Sequence, residues 1–154
     1  KMIISDTLRG KVGEVVFGKF LKENFDIKTE LDFDVYPRGK WDESDTIIKG
    51  KTFSIKSAKF FSSWLLLESK DIERGDIYDI YTLVLIDSDN KGGEIVGYAK
   101  KSEIINEDEN TLVLKKGDFI PNTTTVLDAD NHARNKSKLH NKPEEWEDLI
   151  SSLS

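Results

Sequence analysis

Two short runs, Asp45-Thr46-Ile47-Ile48 and Lys51-Thr52-Phe53-Ser54-Ile55-Lys56-Ser57, are joined by the pair Lys49-Gly50. Apolar residues alternating on both sides of a two-residue turn that ends in glycine predict an antiparallel β-hairpin. Residues two apart in a strand share a face, so Thr52, Ser54, Lys56 and Ala58 point one way and Phe53, Ile55 and Ser57 the other. Phe53 and Ile55 mark the inward face. Lys56 is therefore a mid-strand lysine, presented beside Asp45 at the start of the facing arm.

The hairpin needs a sheet and something to cover it. Leu8, Val12, Val15, Val16, Phe20 and Leu21 recur at helical spacing up to about Asn24, behind an N-cap at Ser5-Asp6-Thr7. Gly10, Gly13 and Gly18 within that helix each cost on the order of 1 kcal/mol of propensity relative to alanine, which points to close packing on a sheet. Alternation from Ile27 to Tyr36 predicts a half-buried strand ended by Pro37-Arg38-Gly39. Tyr78 to Ile86 is the most apolar strand, with Glu94 to Ala99 as its partner across a turn from Asp87 to Gly93. Lys101 to Ile105 reads as a short helical turn, Thr111 to Leu114 as a strand, and Pro143 to Leu153 as a closing helix with Trp146, Leu149 and Ile150 on one face. The expectation is one α/β domain over residues 1–154, a central mixed β-sheet flanked by helices.

Composition narrows the setting. The absence of cysteine leaves disulfides and thiolate metal sites out and permits a reducing compartment. The longest apolar runs, Trp64-Leu65-Leu66-Leu67 and Thr82 to Ile86, fall far short of the roughly 20 residues that cross a bilayer. No secretory n-region and h-region opens the sequence, so a cytoplasmic protein without a membrane partner is expected. A net charge of −6 argues against non-specific coating of nucleic acid. Two basic islands break that pattern. Lys49, Lys51, Lys56 and Lys59 lie in a stretch without acids, as do Arg134, Lys136, Lys138 and Lys142. Either island meets a polyanion, or it is simply solvated.

Asp45 and Lys56 carry two readings. One is a cross-strand ion pair of about 0.2–1 kcal/mol. In the other, Asp45 binds a hard divalent cation while Lys56 orients a water against a scissile phosphate. The segment as a whole, Asp45, a short turn, then Phe53-Ser54-Ile55-Lys56-Ser57 behind a helix bearing Glu14, resembles the core of the PD-(D/E)xK nuclease superfamily over residues 5 to 100. That superfamily includes type II restriction endonucleases and Holliday-junction resolvases. The resemblance implies a restriction-endonuclease-like fold, with Asp45 as metal-binding acid, Lys56 as the lysine, the Ile55 main-chain carbonyl as a metal ligand and Glu14 as the helix carboxylate. It further implies Mg²⁺ with Mn²⁺ as substitute, double-stranded DNA as substrate and a homodimer with one site per strand. The departure is Ser54, which stands where the family has its second carboxylate and is a weak neutral ligand. Either another acid replaces it, with Glu14, Asp34, Asp42 and Glu43 as candidates, or activity is impaired.

Other signals are subordinate. His132 and His140 among asparagines invoke a His/Asn nuclease, but the strand-loop-helix context and cysteine-held zinc of that class are not evident. The stretch from His132 to Lys142 either contacts phosphates and base edges, Arg and Asn being the types that pair with guanine and adenine, or is an exposed polar loop. Trp41 and Trp64 flank the hairpin and either stack on a base or pack at the core rim, the commoner fate. No serine triad, Walker or Rossmann pattern is present. The expected function is Mg²⁺-dependent DNA cleavage of the type II restriction kind, with Lys49, Lys51, Lys59, Arg134, Lys136 and Lys138 on the DNA. The alternatives are a structure-selective resolvase and a catalytically silent DNA-binding or protein-interaction module on the same scaffold.

Overall fold

A computed structural model describes residues 2–28, 43–106 and 109–153, with the backbone course alone for 2–7 and 43–45. Helix α1 (Met2–Phe25) is followed by strands β1 (Glu43–Ile48), β2 (Lys51–Lys59) and β3 (Trp64–Glu68), helix α2 (Ser69–Arg74), and strands β4 (Ile80–Ile86) and β5 (Gly93–Lys100). Helix α3 (Lys101–Ile105), β6 (Thr111–Leu114), β7 (Asn131–Asn135), a 3₁₀ turn (Lys136–Lys138) and helix α4 (Pro143–Ser152) complete the chain. The helical ladder of α1 begins at Met2, ahead of the expected cap at Ser5. The strand expected from Ile27 to Tyr36 falls mostly outside the described residues, as do Asp34, Trp41 and Asp42.

The architecture is α/β with two sheets rather than one. Strands β1, β2, β4 and β5 form a mixed sheet in that order, and β3, β7 and β6 form an antiparallel second sheet. The two central strands of the mixed sheet run parallel, Phe53 opposite Ile80 through Lys59 opposite Ile86. Every residue of β4 is buried, as its unbroken apolar run requires of a strand covered on both faces. Where the parallel pair starts, Asp79 and Thr52 clamp one another: Asp79 Oδ2 accepts from the Thr52 N–H at 3.0 Å, and the Asp79 N–H donates to Thr52 Oγ1 at 3.0 Å. That backbone hydrogen bond holds the Asp79 carboxyl below its usual range.

One face of the mixed sheet packs on α1 and α4. Phe17 and Leu21 meet Phe53, Ile55, Ile80 and Val84, with Trp146 and Ile150 closing the layer. The other face packs on the second sheet through Leu65, Leu67, Tyr81, Leu83, Leu85 and Ile104. The glycines of α1 meet their expectation at Gly13: a Cβ there would lie 1.9 Å from Ser57 Oγ and 3.1 Å from Ser57 Cβ. Helix and strand touch backbone to side chain at that point. The stretch His132 to Lys142, read as either a DNA contact or an exposed polar loop, begins inside β7, the middle strand of the second sheet. Its end is stitched to the mixed sheet by reciprocal Tyr98 and His140 backbone bonds of 2.8 and 2.9 Å.

We expect Gly13→Ala to destabilise the protein by about 1–3 kcal/mol despite its helix-propensity gain, read by urea denaturation. Ser57→Gly in the same chain should recover part of the loss. A Gly13→Ala protein more stable than wild type would contradict the close approach.

Candidate functional site

The hairpin is built by its turn. Lys49 and Gly50 both adopt positive φ, 49° and 86°, the pairing whose twist matches that of the flanking strands. The resulting register sets Asp45 opposite Ser54 and Glu43 opposite Lys56. Lys56 is thus diagonal to Asp45, with Glu43 as its direct cross-strand partner in the backbone ladder. The side chains of Glu43 and Asp45 lie outside the described residues.

Strand β2 assigns the remaining groups to sides. Phe53, Ile55 and Ser57 face α1, so Ser54 and Lys56 project from the opposite face, toward the side that holds the second sheet. Ser54 is 1% exposed and Lys56 half-buried. Ile55 is in the middle of three strands, flanked by Ser44 and Thr82, and its side chain is sealed in the helix-side core. Glu14 is on the inner stripe of α1 beside Gly13, 1% exposed, with the Lys11 ammonium 3.6 Å from its carboxylate. The structure therefore brings Asp45, Ser54 and Lys56 onto one hairpin and sets Glu14 on the helix side of it.

The donors on this hairpin are all hard oxygens: a carboxylate on Asp45, a hydroxyl on Ser54 and the Ile55 carbonyl. In kind they fit Mg²⁺ or Mn²⁺, and in charge they fall one carboxylate short. Among the described residues, no three His, Asp or Glu side chains converge as metal ligands.

The expected DNA contacts divide. Lys49 and Lys51 are exposed at the hairpin turn, and Lys59 at the opposite end of β2, roughly 26 Å away at strand rise. Lys136 and Lys138 are exposed on the 3₁₀ turn, whose Lys136 N–H donates to the Ser63 carbonyl at 2.8 Å. Arg134 differs. It is 4% exposed, its Nε donates to the Lys138 carbonyl at 3.1 Å, and its Nη1 and Nη2 reach Thr111 Oγ1 at 3.0 Å and Glu103 at 3.3 Å. A guanidinium spent on internal acceptors holds the fold and is not presented to a ligand.

Next to Arg134, His140 bridges two helices, a role that sequence spacing did not reveal. Its Nε2 is 2.8 Å from the α3 carboxylate of Glu103, and its Nδ1 contacts the α4 carboxylate of Glu145. Burial pulls the imidazole pKa down, but the two carboxylates outweigh it and hold it above the ordinary 6.5. A neutral imidazole has one N–H and can donate to only one of the two. Burial by itself raises Glu145, yet the His140 contact and the Lys142 N–H keep it below its ordinary range. Burial first, then Glu145 and Glu103, pushes the neighbouring Tyr98 hydroxyl up to about 12.

A groove of about 960 Å³ runs along a different flank of α1, lined by Leu8, Val12, Val15, Phe20, Ile95 and Trp146, and includes none of the hairpin residues. No family model, curated protein or solved structure matches the chain.

Arg134→Ala should cost about 1–3 kcal/mol by leaving the buried Thr111 hydroxyl and the partly exposed Glu103 without the guanidinium donor, whereas Lys136→Ala and Lys138→Ala should stay within about 0.5 kcal/mol of wild type in urea melts. A group whose folded pKa is raised stabilises below its unfolded pKa and loses that contribution as pH rises through the folded one. Thermal stability should therefore fall as pH climbs above 6.5, and His140→Phe should flatten that limb. An identical slope in the variant would assign the dependence elsewhere.

Proposed function

We propose that the protein is a Mg²⁺-dependent DNA endonuclease on a restriction-endonuclease-like scaffold, of the type II restriction kind, with its centre on the β1–β2 hairpin. The observation that carries this reading is the register: Asp45 opposite Ser54, and Lys56 two residues on along the same face of β2. That is the arrangement in which the PD-(D/E)xK superfamily presents its acid, second ligand and lysine. The order of elements supports it further, with α1 behind the hairpin and β4 running parallel to β2.

In this reading the Asp45 carboxylate and the Ile55 carbonyl hold the cation. Bound there, Mg²⁺ or Mn²⁺ would supply a Lewis acid at the scissile phosphate. The Lys56 ammonium orients the attacking water and meets the charge that develops on the phosphoryl oxygens. Ser54 contributes a neutral hydroxyl, so affinity for the cation is low. Glu14, buried on the helix side of β2, lies across the sheet from Asp45, Ser54 and Lys56 and takes no part in the cation site in this reading. Exposed Lys49, Lys51, Lys59, Lys136 and Lys138 give an otherwise acidic protein local cationic surface for double-stranded DNA, and a homodimer would bring one site to each strand.

One observation favours a second reading. Ser54 is neutral and almost fully buried at the position of a ligand, as it would be in a catalytically silent DNA-binding module that keeps the scaffold.

Incubation with plasmid DNA in Mg²⁺, Mn²⁺ or chelator separates the two. The nuclease reading expects metal-dependent cleavage that falls by at least about 100-fold in Asp45→Ala and in Lys56→Ala. Absence of cleavage by wild type with restoration in a folded Ser54→Glu would mean a silenced site; absence in both would leave the binding module.

A further inference from the structure

The turn that follows β2 breaks the chemistry of turns. The Ser62 N–H donates to the Lys59 carbonyl at 2.9 Å, closing a β-turn whose two central residues are Phe60 and Phe61. Such positions favour Pro, Gly, Asn, Asp or Ser, each for a backbone reason. Here they carry two phenyl rings, 55% and 68% exposed, packed edge to face at 5.4 Å and 84°. Single exposed apolar residues are ordinary; two adjacent large rings held outward at a turn are not explained by folding.

The surroundings of the rings combine cations with polar and apolar side chains. The Lys59 ammonium stands 6.0 Å from the centre of the Phe61 ring. The Lys136 N–H bond to Ser63 and the pairing of Trp64 with Asn135 bring the 3₁₀ turn, with exposed Lys136 and Lys138, against the same loop. A cleft of about 230 Å³ opens there between Phe61 and Trp64 on one side and Asn122 and Thr123 on the other, floored by Leu66, Ile120 and Pro121, and among the described residues no acid lines it. Along β2, Lys59 is roughly 10 Å from Lys56, on the other face of the strand by alternation.

We propose that Phe60 and Phe61 form a base-stacking element, on which bases unstacked from DNA lie while Lys59, Lys136 and Lys138 hold the flanking phosphates. Aromatic faces give sequence-tolerant stacking, and lysines beside them follow the backbone. This rests on DNA being the ligand of the protein, and it names the element that engages opened strands near the hairpin.

The test is fluorescence anisotropy of the full chain, in chelator, with a single-stranded oligonucleotide carrying 2-aminopurine. Phe60→Ala and Phe61→Ala should each weaken binding by roughly 5- to 100-fold and relieve the 2-aminopurine quenching, with unchanged circular dichroism. Phe61→Leu should lose the quenching as well, which a merely greasy contact would retain. Lys136→Ala with Lys138→Ala should lower the salt slope by about 0.7 per lysine without relieving the quenching. Equal affinity and quenching in the phenylalanine variants, or no binding by wild type, would overturn the proposal. Chelator keeps the two readings apart. Plasmid cleavage that persists with ring-independent binding would sink the stacking element alone. Ring-dependent binding by a protein that never cleaves would leave the element standing and sink the nuclease.

Discussion

Strand β2 is covered on both faces and paired on both edges, and nearly every other placement follows from that. α1 presses on Phe53, Ile55 and Ser57 closely enough that a methyl group at Gly13 would displace the Ser57 hydroxyl and crowd its Cβ. The second sheet occupies the opposite side, and β1 and β4 hold the two edges. A strand so enclosed cannot slip by one residue, because the slip would turn Phe53 and Ile55 out of the helix-side core and drive Lys56 into it. Register is therefore a consequence of packing, and register is what sets Asp45 across from Ser54 and Lys56 on the face away from α1.

The second sheet is held by different physics. Its middle strand, β7, buries Asn131, Ala133 and Arg134, so it is fixed by hydrogen bonds as much as by apolar area. Arg134 ties β7 to β6 and α3, and His140 carries the same network on to α4 through Glu103 and Glu145. The buried Arg134 charge is tolerated because it has partners, while Glu103, His140 and Glu145 keep part of their contact with solvent. The lysines that follow Arg134 stay exposed because the network ends before them. The basic island of the sequence thus splits into an internal tie and a solvent-facing pair.

What the sequence made legible is what periodicity controls. The α1 pattern, the hairpin with its Lys49-Gly50 turn, the apolar run of β4 and the Trp146-Leu149-Ile150 face of α4 each follow from apolar spacing, and each is present. Strand β7 was not legible because Asn131 to Asn135 contains no β-branched residue and no Phe, Tyr or Trp; its burial depends on partners that only the tertiary fold supplies. Within the candidate site, the shared face of Ser54 and Lys56 follows from alternation alone. The side on which Glu14 falls does not, since it depends on which face of the sheet the helix covers. Phe60 and Phe61 were visible in the sequence, but their exposure at a turn was not.

The central claim is that the β1–β2 hairpin is a cation site served by Asp45, and calorimetric titration with Mn²⁺ in the absence of DNA tests it most directly, comparing wild type with Asp45→Asn. The account predicts weak, saturable binding by wild type that is lost in Asp45→Asn while the melting temperature stays near that of wild type. Binding of equal strength in both proteins, or none in wild type, would contradict it.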